Sequence, residues 1–176
     1  GNNIGRIQLP IGGGREDFPG YFTHYAPLVK DAFMSKNVDD GSSSLLSPSF
    51  IHAPIIDLDT PSSTSLLSLL SKILHSLDHS SDKDQVDSDG VANANSGAIY
   101  IHCWGGRGRA GLVGACLLSL IFPEITAEEC LDWVQKGYDT RDGAIFMPLG
   151  LRRSPQTLSQ REFVLDFVRD TKEHHL

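Results

Sequence analysis

The chain has 176 residues, of which 40% are hydrophobic and 21% are charged, and its formal net charge is −7. This length and composition predict a single globular domain over residues 1–176 with a substantial apolar core. The acidic balance argues against nucleic acid as a partner, and no apolar run is long enough to span a membrane. Three cysteines without disulfide or metal spacing predict a reducing compartment, cytoplasmic or nuclear, and no metal site.

Hydrophobic periodicity predicts strands and helices that alternate along the chain. In chain order these are a strand at 4–11, a helix at 21–34, an exposed loop at 35–49, a strand at 50–56, a helix at 62–77, a mobile insertion at about 78–96, a strand at 98–101, and helices at 112–120, 126–137 and 159–171. The alternation predicts an α/β fold in which a central, mainly parallel sheet is flanked by helices on both faces.

A glycine-rich loop joins the strand at 98–101 to the helix that follows it. Cys103 lies six residues before Arg109, and the glycines between them allow backbone N–H groups to converge on one anion at a helix start. Such a site stabilises the thiolate form of a cysteine, so Cys103 is predicted to be a nucleophile. The planar guanidinium of Arg109 fits two phosphate oxygens. The predicted phosphate-binding residues are Trp104, Gly105, Gly106, Arg107, Gly108 and Arg109.

These residues resemble the His-Cys-x5-Arg loop of the cysteine-dependent protein tyrosine and dual-specificity phosphatases. The form of the loop is most similar to that of small dual-specificity enzymes of the kinase-associated phosphatase type. The resemblance implies a phosphotyrosine phosphatase-like fold and hydrolysis of phosphotyrosine in proteins, with phosphoserine and phosphothreonine as further substrates. It implies a phosphocysteine intermediate and no cofactor. His102 is implied to tune the loop by hydrogen bonding, the alternative being a simple buried histidine.

The resemblance also implies a general acid on a separate upstream loop. The segment at 50–61 fits the family's proline-x-x-aspartate pattern, with Pro54 as the proline and Asp57 as the acid that protonates the leaving oxygen. Asp59 is the alternative acid. Alternatively, both aspartates simply end a strand, or Asp59 or Thr60 caps the next helix.

Two further positions bear on the hydrolysis of the intermediate. Most of the family has serine or threonine directly after the arginine, whereas this chain has Ala110, which predicts a slow second step. Gln160 lies in a segment that resembles the family's threonine-x-x-glutamine element and is implied to position water. The alternative is a capping box between Thr157 and Gln160.

Other charged residues leave the substrate class open. These residues either contact a second phosphate or acidic residues of the substrate, or they form a solvated surface; they are Arg141, Asp142, Arg152 and Arg153. Phosphoinositides or inositol phosphates are therefore alternatives to a phosphorylated protein substrate. The competing classes are a non-catalytic phosphate-binding or scaffold module and another cysteine-loop enzyme, such as a rhodanese or arsenate reductase. The remaining cysteines, Cys116 and Cys130, are predicted to lie in the core.

Overall fold

The computed structural model describes the backbone of residues 6–8, 21–23, 26–39, 48–81 and 98–173, and side chains at 26–32, 48–77 and 98–173. The chain forms two compact units, Gly1–Pro54 and Ile55–Leu176. The prediction of one domain over residues 1–176 stays a prediction. The insertion predicted at about 78–96 begins inside a helix, and residues 82–97 lie outside the described part of the chain.

The first unit contains two short strands and one helix. Strands β1 (Arg6–Gln8) and β2 (Tyr21–Thr23) pair in antiparallel fashion, and helix α1 spans Ala26–Asp39. The helix predicted at 21–34 is therefore wrong at its start, because its first three residues pair in the sheet. The loop predicted at 35–49 is likewise wrong at its start, since α1 continues to Asp39.

The second unit is helical in its described residues. Its elements are α2 (Ser63–Ser81), α3 (Arg109–Ile121), α4 (Ala127–Asp139), α5 (Asp142–Ile145), a 3-10 turn (Leu149–Leu151) and α6 (Leu158–Glu173). The four helices predicted in this region are confirmed, with bounds that shift by a few residues. The short α5 and the 3-10 turn were not predicted, because each is too short to show a periodic pattern.

Helix α3 is the centre of the second unit. It packs against α2, α4 and α6, and most of its residues are buried because its sequence is apolar on every side. The fully buried Leu66, Leu112 and Val164 belong to three different helices of one hydrophobic core, which Cys116 and Cys130 also join. The prediction that these two cysteines lie in the core is thus confirmed.

The N-terminus of α4 follows the sequence signal closely. Thr126 Oγ1 accepts a bond from Glu129 N at 3.1 Å, and Glu129 Oε2 accepts one from Thr126 N at 2.7 Å. This capping box satisfies two N–H groups that a helix start leaves without partners.

The predicted central, mainly parallel sheet is wrong for the described residues, whose two strands form the antiparallel pair β1–β2. The segments at 50–56 and 98–101 have no ladder partner. Ile55 and Ile101 instead pack directly against the helical core, while Ile56, Ile99 and Tyr100 remain exposed. Strand-like composition alone therefore did not produce a sheet, because strand formation also depends on packing against a neighbouring strand.

Candidate active site

The loop predicted to bind phosphate leads directly into α3. Residues 104–108 make successive bends, and α3 begins at Arg109 with the buried Gly108 as its N-cap. Gly106 has φ +64°, a left-handed conformation that side chains with a Cβ rarely adopt. Cys103 is a free, half-buried thiol in front of the loop. The loop therefore has the cysteine at one end and a helix N-terminus at the other.

Four carbonyl oxygens of the loop accept hydrogen bonds. The Cys103 oxygen lies 3.3 Å from His102 Nδ1, which must carry the proton because a carbonyl can only accept. Arg141 Nη1 donates to the Gly105 oxygen at 3.2 Å, and Ser154 Oγ donates to the Arg107 oxygen at 2.9 Å. The Leu112 N–H donates to the Gly108 oxygen at 3.0 Å.

These bonds also fix the direction of the loop's amides. In a trans peptide the N–H points opposite to the preceding carbonyl, so the amides of residues 104, 106, 108 and 109 are directed away from the anchoring groups. The N–H groups of residues 105–111 donate no hydrogen bond to a protein acceptor among the described residues. A set of oriented amides at a helix N-terminus can bind an anion.

Arg109 connects the loop to the predicted acid. Its Nη2 lies 3.0 Å from Asp57 Oδ1, and its Nη1 donates to the Ile55 oxygen at 3.1 Å. Both side chains are partly exposed, at 24% for Arg109 and 38% for Asp57. The structure thus brings together two of the three predicted catalytic residues, which lie far apart in the sequence.

Asp59, the alternative acid, is engaged locally. Its Oδ1 accepts a bond from Thr60 N at 2.8 Å, while its backbone N–H closes a turn on the Ile56 oxygen at 3.2 Å. Leu58 within this turn has φ +64°. The carboxylates on either side of Leu58 thus have different partners, Arg109 for Asp57 and the Thr60 backbone N–H for Asp59.

Gln160 is fully buried and forms the capping box that the sequence offered as its alternative role. Its N–H donates to Thr157 Oγ1, and its Oε1 accepts from Thr157 N, both at 3.2 Å. Its Nε2 also donates to the Asp59 oxygen at 3.0 Å. The capping-box interpretation is confirmed, and the role in positioning water stays a prediction.

The two other arginines near the loop contact it or its surroundings. Arg107 Nη1 donates to the Leu151 oxygen and lies 3.0 Å from the Met147 sulfur, so its side chain reaches the segment after α5. Arg141 stacks over Tyr138 at 5.6 Å and covers Gly106. Three guanidinium groups therefore lie at or beside the loop of a chain with net charge −7.

Trp104 and His102 are exposed, which excludes the alternative of a buried histidine. The His102 ring stacks on Tyr100 at a centroid distance of 5.4 Å.

The remaining charged candidates have partners outside the loop. Arg152 pairs with Asp139 at 2.9 Å. Arg153 lines a cleft between α4 and α6, of about 400 Å³, to which no loop residue contributes.

Sequence reasoning missed Ser154 and Gln135. Ser154 is buried; its Oγ holds the Arg107 oxygen, and its N–H donates to Gln135 Oε1 at 2.7 Å. A Cβ on Gly111 would lie 2.4 Å from Ser154 Oγ, so the first turn of α3 has to be free of a side chain there. Neither residue belongs to a local motif, so the sequence pattern carried no signal for either.

The cysteine–arginine loop, the helix start and the carboxylate on the arginine together define a candidate phosphatase site. Residues 34–164 match the family model PTP-SAK, described as Swiss Army Knife protein, DSP-PTPase phosphatase domain. The chain therefore belongs to this family and carries a phosphatase domain of the dual-specificity type. The predicted resemblance is confirmed at that level. No curated protein and no solved structure matches the chain.

No helix in the described part of the chain is long and apolar enough to cross a membrane. No group of three or more His, Cys, Asp or Glu residues there could hold a metal ion.

Proposed function

We propose that the protein hydrolyses phosphotyrosine in proteins, with phosphoserine and phosphothreonine as further substrates, through a phosphocysteine intermediate. The observation that carries the proposal is the ion pair of 3.0 Å between Asp57 and Arg109 of the loop. This ion pair places the carboxyl group of Asp57, which would supply the proton, next to the Arg109 guanidinium, which would bind the phosphate. The family supports a phosphorylated substrate.

The reaction takes two steps. When the phosphoryl group displaces Asp57 from Arg109, the freed carboxylate takes up a proton from solvent. The Cys103 sulfur then attacks phosphorus while the bond to the leaving oxygen breaks, and Asp57 gives that proton to the leaving oxygen. Water then attacks phosphorus, Asp57 accepts a proton from it, and the sulfur–phosphorus bond breaks to release phosphate and the Cys103 thiolate. The loop amides and Arg109 stabilise the charge that develops on the phosphoryl oxygens in both steps.

The bound phosphoryl group would compete with Asp57 for Arg109. The Arg109 guanidinium has donors to spare after its bond to the Ile55 oxygen, and phosphate takes two of them in a fork. The carboxyl group of Asp57 would then face the leaving oxygen. This exchange explains why the acid and the arginine have to be neighbours.

The first test measures phosphate release from 4-nitrophenyl phosphate with a chelator present. We expect activity in the wild type, none in Cys103→Ser, and near-normal activity in Cys130→Ala, which changes a core cysteine outside the loop. Mass spectrometry after acid quench should find one phosphoryl group on Cys103. Equal activity in wild type and Cys103→Ser would contradict the proposal.

A second candidate is a phosphate-binding module without turnover, and Ala110 favours it. The residue after the arginine has no hydroxyl to assist departure of the thiolate, and the side chain is buried in α3. Retained binding of orthovanadate with no phosphate release from any aryl phosphate would establish this candidate instead. Inositol phosphates belong among the tested substrates because Arg141 lies beside the loop. Activity on inositol phosphates alone would change the substrate class but leave the proposed reaction unchanged.

A further inference from the structure

The Gln160 side chain bonds to more than its own helix. Its Oε1 accepts the N–H groups of both Gln156 and Thr157 at 3.2 Å, and its Nε2 donates to the Asp59 oxygen at 3.0 Å. An amide oxygen has two lone pairs, so Oε1 is fully used. Such a side chain is held rigidly and has no free acceptor.

The same amide group lies against the phosphate loop. A Cβ on Gly108 would lie 3.0 Å from Gln160 Oε1 and 3.3 Å from its Nε2, so only a glycine leaves the contact undisturbed. Gly108 is the N-cap of α3 and precedes Arg109. One buried amide therefore touches the loop that carries Cys103 and the turn that carries Asp57.

We propose that Gln160 is a positioning residue that sets the Asp57 carboxyl group relative to the phosphate loop; the inference rests on the function proposed above. Asp59, whose carbonyl Gln160 holds, lies two residues after Asp57 and in the same turn. Thr157 Oγ1 adds a longer bond of 3.5 Å to the Leu58 oxygen. Without the Gln160 bond, that turn loses its strongest connection to α6.

The inference predicts a loss that depends on the leaving group. A poor leaving group such as phenol needs the proton from Asp57, whereas 2,4-dinitrophenol leaves well without it. Misplacing an acid by about 1 Å can cost roughly 100-fold in rate. Breaking the bond to Asp59 should therefore slow phenyl phosphate by about 10- to 100-fold and 2,4-dinitrophenyl phosphate by less than about 3-fold.

The decisive variant is Gln160→Glu. Glutamate is a good residue at this capping position, so both bonds to Oε1 remain, while the donor to the Asp59 oxygen is replaced by an acceptor. Its charge near Gly108 affects the binding of both substrates alike, so the ratio of their kcat/KM values isolates the acid. Gln160→Met, which is neutral and of similar length, is the second variant. Thr126→Ala removes a capping box on α4, away from the site, and controls for stability alone.

The experiment measures kcat/KM for both substrates in these variants, each alone and combined with Asp57→Asn. We expect a selective loss with phenyl phosphate in both Gln160 variants, none in Thr126→Ala, and no further selective loss once Asp57 is replaced. An equal loss on both substrates, or a selective loss that persists in Asp57→Asn, would overturn the positioning role while leaving the proposed reaction intact. No Cys103-dependent activity in the wild type would overturn both proposals. If Gln160→Glu does not fold, the ratio of the kcat/KM values for the two substrates in Gln160→Met provides the same test.

Discussion

Individual residues of the loop have separable tasks. Arg109 connects the loop to Asp57, whereas Arg141 and Ser154 hold carbonyl oxygens on its outer side. His102 Nδ1 donates to the Cys103 carbonyl oxygen in the same way. Substitutions at the outer anchors should therefore loosen the loop, while a substitution at Arg109 removes both a phosphate ligand and the partner of the acid.

Gly106 is the position in the loop where a side chain is least acceptable. It has φ +64°, and an added Cβ would overlap Arg141 Nη1 at 2.1 Å. A left-handed residue with a Cβ costs about 1–2 kcal/mol, and the loop would shift to relieve it. Gly106→Ala should therefore weaken orthovanadate binding by about tenfold in a titration.

Gly105→Ala is the matched control for that experiment. A Cβ on Gly105 would meet nothing within 4 Å, so the same added methyl group should leave vanadate affinity nearly unchanged. An equal loss in the two variants would argue against conformational strain as the cause.

Ala110 predicts which step limits turnover. With no hydroxyl beside the departing thiolate, phosphocysteine should accumulate and give a burst of phenol release. Ala110→Ser should restore a hydrogen bond to a charged group, worth about 1.5–3 kcal/mol, and raise the steady-state rate by about tenfold. Stopped-flow kinetics would show the burst shrink; a wild type without a burst would contradict this order of steps.

At the scale of elements, helix termini do most of the positioning. The N-terminus of α3 carries the loop, and that of α6 carries Gln160, which contacts both the loop and the acid turn. The first turn of α4 also has a capping box, but it lies away from the site and contributes only to stability. Substitutions there therefore measure how much a capping box stabilises the fold without affecting the site.

Glu129 in that capping box predicts a pH dependence of stability. The bonds from the Thr126 backbone N–H and then from its side chain hold the pKa of Glu129 below its usual range. A carboxyl group with a lowered pKa in the folded state stabilises the fold above its unfolded-state pKa, and that contribution disappears as pH falls through the folded-state value. Glu129→Ala should thus lower the free energy of unfolding at neutral pH and have little effect in acid.

Denaturant unfolding at several pH values would measure this difference. Glu128→Ala removes the neighbouring carboxylate, which lies outside the capping box, and should give a much smaller pH-dependent difference. If the two variants behaved alike, general surface charge rather than the capping box would be responsible.

At the scale of the whole molecule, burial separates the three cysteines. Cys116 is fully buried, and burial raises the pKa of its thiol far above the usual range; burial also raises that of Cys130. A thiol that stays protonated and covered reacts slowly. Iodoacetamide at neutral pH should therefore modify only Cys103 in the native protein and all three cysteines after unfolding, as counted by mass spectrometry. Rapid labelling of Cys116 without unfolding would contradict the packing of α3.

How much the sequence predicts depends on how local each feature is. The loop at 102–109 and the α4 capping box are local motifs, so residue order was enough to predict them. The family pattern indicated Asp57, which the structure places beside Arg109. The predicted sheet was wrong because a strand-like run forms a strand only where a neighbouring strand is available, and neither 50–56 nor 98–101 has a ladder partner among the described residues. Ser154 and Arg141 were beyond prediction as loop anchors, because their partners lie 47 and 36 residues away and a lone serine or arginine carries no signal.

The long sequence separation between the loop and the residues that anchor it also affects the order of events in folding. Helix α3 can form from its own residues within microseconds, but the bonds that orient the loop close over 36 residues to Arg141, 47 to Ser154 and 54 to Ile55. Contacts over such separations carry a loop-closure entropy cost that local helical contacts do not, so they form later in folding. A nascent or truncated chain can therefore contain the whole cysteine–arginine motif in helical context and still lack an anion receptor. Competence to bind phosphate should emerge last, together with the docking of α6.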